Sequence, residues 1–160
     1  MWAEELERWL PTLQPRDVAA LFCKGDEIRL RGLPGAPALT SEWPPRVVIT
    51  SFRMAEILRR SLGDIKWQTV VVDESHVLRS SLTKKGESQQ TQVVAKIAGD
   101  APRRICMSGT PSLNRPFDLF KQVDLLAPGL LSLHREEAVR KEQFARAYCG
   151  YRYVANKHAS

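Results

Sequence analysis

At 160 residues, 43% hydrophobic with four Trp, the chain has the length and apolar content for one folded domain with a core, which excludes an intrinsically disordered class. Three cysteines, odd in number and far apart, exclude a disulfide framework and a Cys-x-x-Cys zinc site, and no apolar run approaches the ~20 residues of a membrane span. Lys and Arg outnumber Asp and Glu by 24 to 18, a net charge of +6 that suits a polyanionic or phosphate-rich partner as well as an ordinary solvated surface.

Trp2, Leu6, Trp9 and Leu10 recur at helical spacing, with Glu4, Glu5, Glu7 and Arg8 on the other side, until Pro11 stops the pattern. An opening inside an amphipathic helix, with no cap or strand before it, points to sequence lying upstream. Met1-Trp2-Ala3-Glu4-Glu5 is too acidic to begin a signal peptide, so a soluble protein of a reducing compartment is expected. Val18–Phe22 reads as a short strand and Ile28–Leu30 as a second candidate, followed by a Pro-, Gly- and Ser-rich loop from Arg31 to Pro45. Arg46–Phe52 is the next buried strand and ends in the hydroxyls Thr50 and Ser51. Met54, Ile57, Leu58 and Leu62 then trace one helix face as far as Gly63-Asp64.

Val70, Val71 and Val72, with Trp67 and Thr69 before them, predict a strand buried on both faces, which breaks into Asp73-Glu74. Arg79–Gln90, carrying Lys84, Lys85 and Gly86, reads as a polar surface loop, and Val93, Val94 and Ile97 as the next helix. Asp100-Ala101-Pro102 turns the chain into the strand Arg104–Met107, which ends in Ser108-Gly109-Thr110-Pro111. Pro116–Leu126 predicts a helix with Phe117, Leu119, Phe120, Val123 and Leu126 inward, and Glu136–Tyr148 a last helix of mixed polarity. Residues from Gly150 onward have no period, which predicts a poorly anchored tail at 151–160.

Strand and helix alternate from residue 47 into the 120s, the pattern of right-handed crossovers in an α/β fold with a parallel central sheet flanked by helices. In such sheets ligands bind beyond the carboxyl ends of the strands, so Thr50-Ser51, Asp73-Glu74 and Ser108–Thr110 are expected on one rim. Two adjacent acids there suit a divided task, one holding Mg2+ on a phosphate and the other orienting a water, the Walker B arrangement of nucleotide hydrolases. An apolar strand that merely ends in a polar turn gives the same pattern; so does Ser51 if it only caps the following helix.

Four stretches in this order resemble the Swi/Snf-type helicase-like ATPases of the second helicase superfamily. Trp2–Pro11 looks like the helix after motif Ia and Val48–Phe52 like motif Ib, while Asp73-Glu74-Ser75-His76 matches motif II and Ser108-Gly109-Thr110-Pro111 motif III. Ser75, Asn114–Phe120 and the Phe-x-x-x-Tyr-Cys of Phe144–Cys149 are similar to the annealing-helicase, fork-remodelling subgroup. The resemblance covers residues 1–150 and implies part of a first RecA-like lobe that binds ATP and Mg2+ and moves on DNA, in the nucleus or another DNA-bearing compartment. It implies Mg2+ coordination through the nucleotide for Asp73 and water activation for Glu74. It further implies coupling to motion for His76, Ser108, Gly109 and Thr110, and sequence-independent contacts with DNA phosphates for Thr50 and Ser51.

The 160 residues contain no Gly-x-x-x-x-Gly-Lys-[Ser/Thr] loop, although that loop supplies much of the positioning in phosphoryl transfer, and nothing in them resembles the second motor lobe. Loss of the P-loop strand is expected to leave one side of the central strands uncovered, and this chain by itself to be without ATP turnover. Two functions remain open at this level. One is part of a DNA-dependent ATPase and translocase; the alternative is a catalytically inactive module that keeps DNA or protein contacts.

Overall fold

The computed structural model describes residues 1–33, 45–80, 87–112 and 115–150. Most of the loop from Arg31 to Pro45, Lys84, Lys85, Asn114, His158 and the tail at 151–160 lie outside the described residues. The chain divides into two compact units, Met1–Val70 with Ser88–Arg103, and Val71–Glu87 with Arg104 onward. Each builds short strands and helices in alternation, the α/β class that the sequence predicts.

In the first unit, α1 (Trp2–Trp9) precedes β1 (Val18–Leu21), which pairs in parallel with β2 (Val47–Thr50) in the register Val18↔Val47 to Leu21↔Thr50. Arg46 N donates to Asp17 O at 2.8 Å and extends the ladder by one bond. No residue of α1 is buried, and Trp9 stays 72% exposed with its indole N–H on Glu5 at 2.8 Å. Ile28–Leu30 is not a strand: Lys24–Leu30 winds into a 3-10 helix. The reason is local, because the Asp26 carboxylate accepts from the backbone N–H groups of Phe22 and Cys23 at 2.8 and 3.0 Å and caps the turn. Those donors, from Cys23 and then Phe22, hold the Asp26 carboxyl below its ordinary range.

The helix predicted up to Gly63 is split into α2 (Phe52–Ile57) and α3 (Arg59–Gly63) at Leu58, whose ψ of 20° opens the turn. Leu58 N and Leu62 N still bond four residues back, to Met54 O and Leu58 O, so the two pieces keep one inward face. That face supplies Met54, Leu58 and Leu62 to a core completed by Leu21, Leu30, Ala55 and Ile65, with Val48, Trp67, Val94 and Ile97 against it. The helix α4 (Gln89–Asp100) starts four residues before Val93 because the Ser88 hydroxyl accepts from Thr91 N at 3.1 Å.

The second unit takes in the ends of β3 (Thr69–Val72) and β4 (Arg103–Cys106), which form a two-stranded sheet. Met107 N donates to Val72 O at 2.9 Å and Met107 O accepts from Ser75 N at 2.8 Å, so the residue after β4 is held between the end of β3 and the turn that follows it. Burial on both faces is not what these strands show. Val72 is 4% exposed, whereas Val71 and Ile105 are each 47% exposed, because successive side chains point to opposite faces and one face lacks a covering layer among the described residues.

After a 3-10 turn at Pro116–Leu119 comes α5 (Phe120–Leu126), and α6 (Glu137–Tyr148) follows. Phe117, Phe120 and Phe144 form an aromatic core with ring centroids 5.6 to 6.0 Å apart, and Tyr148 extends it at 5.0 Å from Phe144. The inward face of α5 differs from the all-apolar one expected. Leu126 is exposed, and Lys121 and Gln122 are buried in company with Phe120 and Leu125.

Lys121 can be buried because it is one corner of a square of alternating charges. Its ammonium lies 3.0 Å from both Glu87 and Glu137, and Lys141 lies 2.7 and 2.8 Å from the same two carboxylates. Beside the square, Arg140 grips Asp124 with two bonds of 2.9 Å. Burial pushes the Glu137 carboxyl up, but hydrogen bonds from Lys141 and Lys121 outweigh it and bring the group down to about 2. A carboxyl depressed on folding stabilises the fold above its ordinary value of 4.5 and loses that contribution as pH falls from there to about 2. Urea midpoints measured across that window are expected to fall more steeply for the parent than for Glu137→Gln.

Candidate functional site

The site grows from the carboxyl end of β3. Beyond Val72, Asp73 is half-buried and its Oδ1 accepts from Glu74 N at 2.9 Å. Glu74 sits in the left-handed region at φ 49° and ψ 43°, the one non-glycine residue with positive φ among the described residues. That conformation costs roughly 1–2 kcal/mol, and the bonds around it sustain it: Ser75 N to Met107 O at 2.8 Å and Val77 N to Glu74 O at 3.0 Å. The turn separates neighbours in sequence. Glu74 is left exposed, Ser75 is driven inward to 1% exposure, and the 3-10 turn Ser75–Val77 presents His76 half-buried between them.

His76 is where the ends of β3 and β4 meet. Its Nδ1 is 2.9 Å from Ser108 Oγ and 3.1 Å from Glu74 Oε2. A carboxylate oxygen can only accept, so the approach of Glu74 is favourable when Nδ1 carries the proton. Ser108 Oγ also accepts from Thr110 N at 3.2 Å, which folds the Ser108–Thr110 loop back on its own hydroxyl. Gly109 has open space around it, since an added Cβ meets no atom within 4 Å. Carboxylate, imidazole and hydroxyl therefore form one connected polar chain from the first strand end to the second.

Beneath this chain lies a residue that the sequence reading missed. Gln122 on α5 is 5% exposed; its Oε1 accepts from Ser75 Oγ at 3.0 Å and its Nε2 donates to Pro111 O at 2.8 Å. The signal was available: Gln122 falls three residues before Leu125, within the stripe of a helix read as apolar inside.

Thr50 and Ser51 belong to the first unit, at the carboxyl end of β2. Thr50 is exposed, and Ser51 caps α2, its Oγ accepting from Met54 N at 3.1 Å. An N-capping serine accepts through a lone pair, so its own O–H proton is still available to donate. His134 is an exposed residue whose Nδ1 accepts from Glu136 N at 3.2 Å. Among the described residues no group of three or more His, Cys, Asp and Glu is arranged to hold a metal by itself, and no helix is long and apolar enough to cross a membrane.

A family profile described as SNF2-related domain matches residues 1–153. The DNA annealing helicase and endonuclease ZRANB3 of Mus musculus is 30% identical over 152 residues, covering 92% of this chain and 12% of that protein. Its Homo sapiens counterpart is 28% identical over 152 residues, with the same shares of 92% and 12%. In Caenorhabditis elegans, the homologue of SWI/SNF-related matrix-associated actin-dependent regulator of chromatin subfamily A-like protein 1 is 34% identical over 94 residues, 59% of this chain and 13% of that protein. The chain thus spans about an eighth of the length of the relatives it matches.

Proposed function

This chain belongs to the SNF2-related domain family, and from that membership we propose that it is part of a DNA-dependent ATPase and translocase of the annealing-helicase type, acting in DNA repair or replication-fork remodelling. The observation that carries the reading is the chain Glu74–His76–Ser108, which joins the acidic end of β3 to the hydroxyl end of β4 through one imidazole nitrogen. A hydrolase that converts nucleotide state into movement needs such a link between the group that handles water and a segment that can shift.

In this reading residues 1–150 form part of a nucleotide-binding lobe, with a second motor lobe as partner. Asp73 is the Mg2+ ligand. Mg2+ keeps several waters and takes one or two carboxylates together with substrate phosphates, and a single hard oxygen donor at a strand end fits that habit. When bound, Mg2+ supplies charge neutralisation on the ATP phosphates. Glu74, exposed beside it, orients the attacking water. His76 meets the Glu74 carboxylate and the Ser108 hydroxyl through the same Nδ1, and Gly109 lies in open space in the Ser108–Thr110 loop that couples hydrolysis to movement. Thr50 and Ser51 donate hydroxyl protons to DNA phosphates. Such contacts are indifferent to sequence, and the net charge of +6 favours them. The nucleus, or another compartment that holds DNA, is where such a protein works.

ATP hydrolysis with and without forked DNA tests the reading. This chain is compared with a version extended to include a Gly-rich phosphate loop and a second lobe. DNA-stimulated turnover is expected only in the extended protein. Silence of the extended protein, or base-specific DNA binding that survives high salt, would count against the reading.

A further inference from the structure

Gln122 is a buried amide whose orientation is fixed by chemistry. Pro111 O can only accept, so the group 2.8 Å from it must be the amide nitrogen; Oε1 then faces Ser75, whose hydroxyl must donate. Both bonds land next to the polar chain at the strand ends. Ser75 immediately precedes His76 in the same 3-10 turn, and Pro111 closes the loop that carries Ser108. We propose that Gln122 is a positioning residue of the site: by bracing Ser75 and Pro111 against one rigid helix it holds His76 Nδ1 in register with Ser108 and Glu74. No ligand touches it in this role; it acts through the two turns it ties.

The alternative source of that register is the backbone, through Met107 N to Val72 O and Ser75 N to Met107 O. These bonds fix the main chain at Ser75 N and at Met107 but hold neither the Ser75 side chain nor the Pro111 carbonyl. Gln122 supplies both of those ties, so the turn that carries His76 and the loop that carries Ser108 cannot shift against each other without breaking a buried hydrogen bond. The α5 helix is itself tied on two further sides, by Lys121 to Glu87 and Glu137 and by Asp124 to Arg140. The brace is therefore anchored.

The significance of the brace for catalysis rests on the ATPase reading above, but its test needs neither nucleotide nor DNA, so the two can fail separately. Proton–nitrogen correlation spectra of the imidazoles in the full 160-residue chain, recorded at low temperature, report His76 directly, with His134 as internal control. In the parent, His76 is expected to show a protected Nδ1–H. Gln122→Leu is expected to lose that signal to exchange with water and to leave His134 unmoved. Ser75→Ala is expected to do the same, and the double variant to do no more than the larger single one, the signature of a pair acting as one unit. An unchanged His76 spectrum in folded Gln122→Leu, or independent additive shifts, would overturn the proposal. Should Gln122→Leu fail to fold, Ser75→Ala, which removes only a hydroxyl, decides the question by the same signal.

Discussion

Replacing Glu74 by Gln in the extended protein is expected to lower DNA-stimulated ATP turnover by about 10²–10⁴-fold while leaving the KM for ATP nearly unchanged. The amide has the size of the carboxylate and still accepts a hydrogen bond from His76 Nδ1, now 3.1 Å from Oε2, so the turn that carries it is preserved. What it loses is the negative charge that, in the proposed role, polarises a water in the transition state. An interaction made only there appears in kcat and spares ground-state binding. The left-handed backbone at Glu74 gives the substitution a second use. Gln tolerates that conformation about as well as Glu, so the folded state should be unaffected, and a melt that coincides with the parent's separates a chemical loss from a structural one. A fall in turnover below tenfold, or a matching rise in KM, would show that another group handles the water.

Glu87→Ala is expected to destabilise the chain by roughly 3–5 kcal/mol, the cost of leaving buried charge without its partner. The Glu87 side chain is 5% exposed and stands between Lys121 and Lys141, themselves 10% and 14% exposed. Removing it leaves two ammonium groups facing each other with Glu137 alone to neutralise them, and frees the Ser80 hydroxyl that donates to it at 3.0 Å. Against the ~5–15 kcal/mol that holds a typical domain, this is a large share. The loss is mostly the penalty of an uncompensated charge. Glu87→Ala combined with Lys121→Met should therefore cost less than the sum of the two single changes. Urea unfolding at low and high salt checks both points. Buried pairs are poorly screened, so the difference should persist at 1 M salt; a loss under ~1 kcal/mol that disappears with salt would make the square an ordinary surface network.

Much of the chain could be read without coordinates. Runs such as Val47–Ile49 and Val70–Val72 impose strands, and Met54, Leu58 and Leu62 impose a helical inward face, because backbone sterics and apolar periodicity act over a few residues. Asp73-Glu74 and Ser108–Thr110 are legible as polar strand ends for the same reason, and the order of those motifs carries the family. Local capping was partly legible too. Asp26, which turned Ile28–Leu30 away from a strand, and Ser88, which started α4 early, are residue types whose side chains compete for backbone donors.

What a sequence pattern does not contain is which distant group meets which. Nothing near His76 in the chain says that Nδ1 will find Ser108, 32 residues on, or that Gln122 will reach back 47 residues to Ser75. A buried Lys121 read from periodicity alone is an anomaly; it becomes reasonable once Glu87 and Glu137 stand 3.0 Å away. Likewise three valines in a row predict burial on both faces, and Val71 is half-exposed because burial depends on what else covers the sheet. Periodicity and capping are properties of neighbours along the backbone, so the sequence by itself determined most of the elements, the family and the acidic strand end. Polar pairing and coverage are properties of neighbours in space. Only the tertiary structure could decide the imidazole link, the amide brace beneath it and the charge square that fixes its helix.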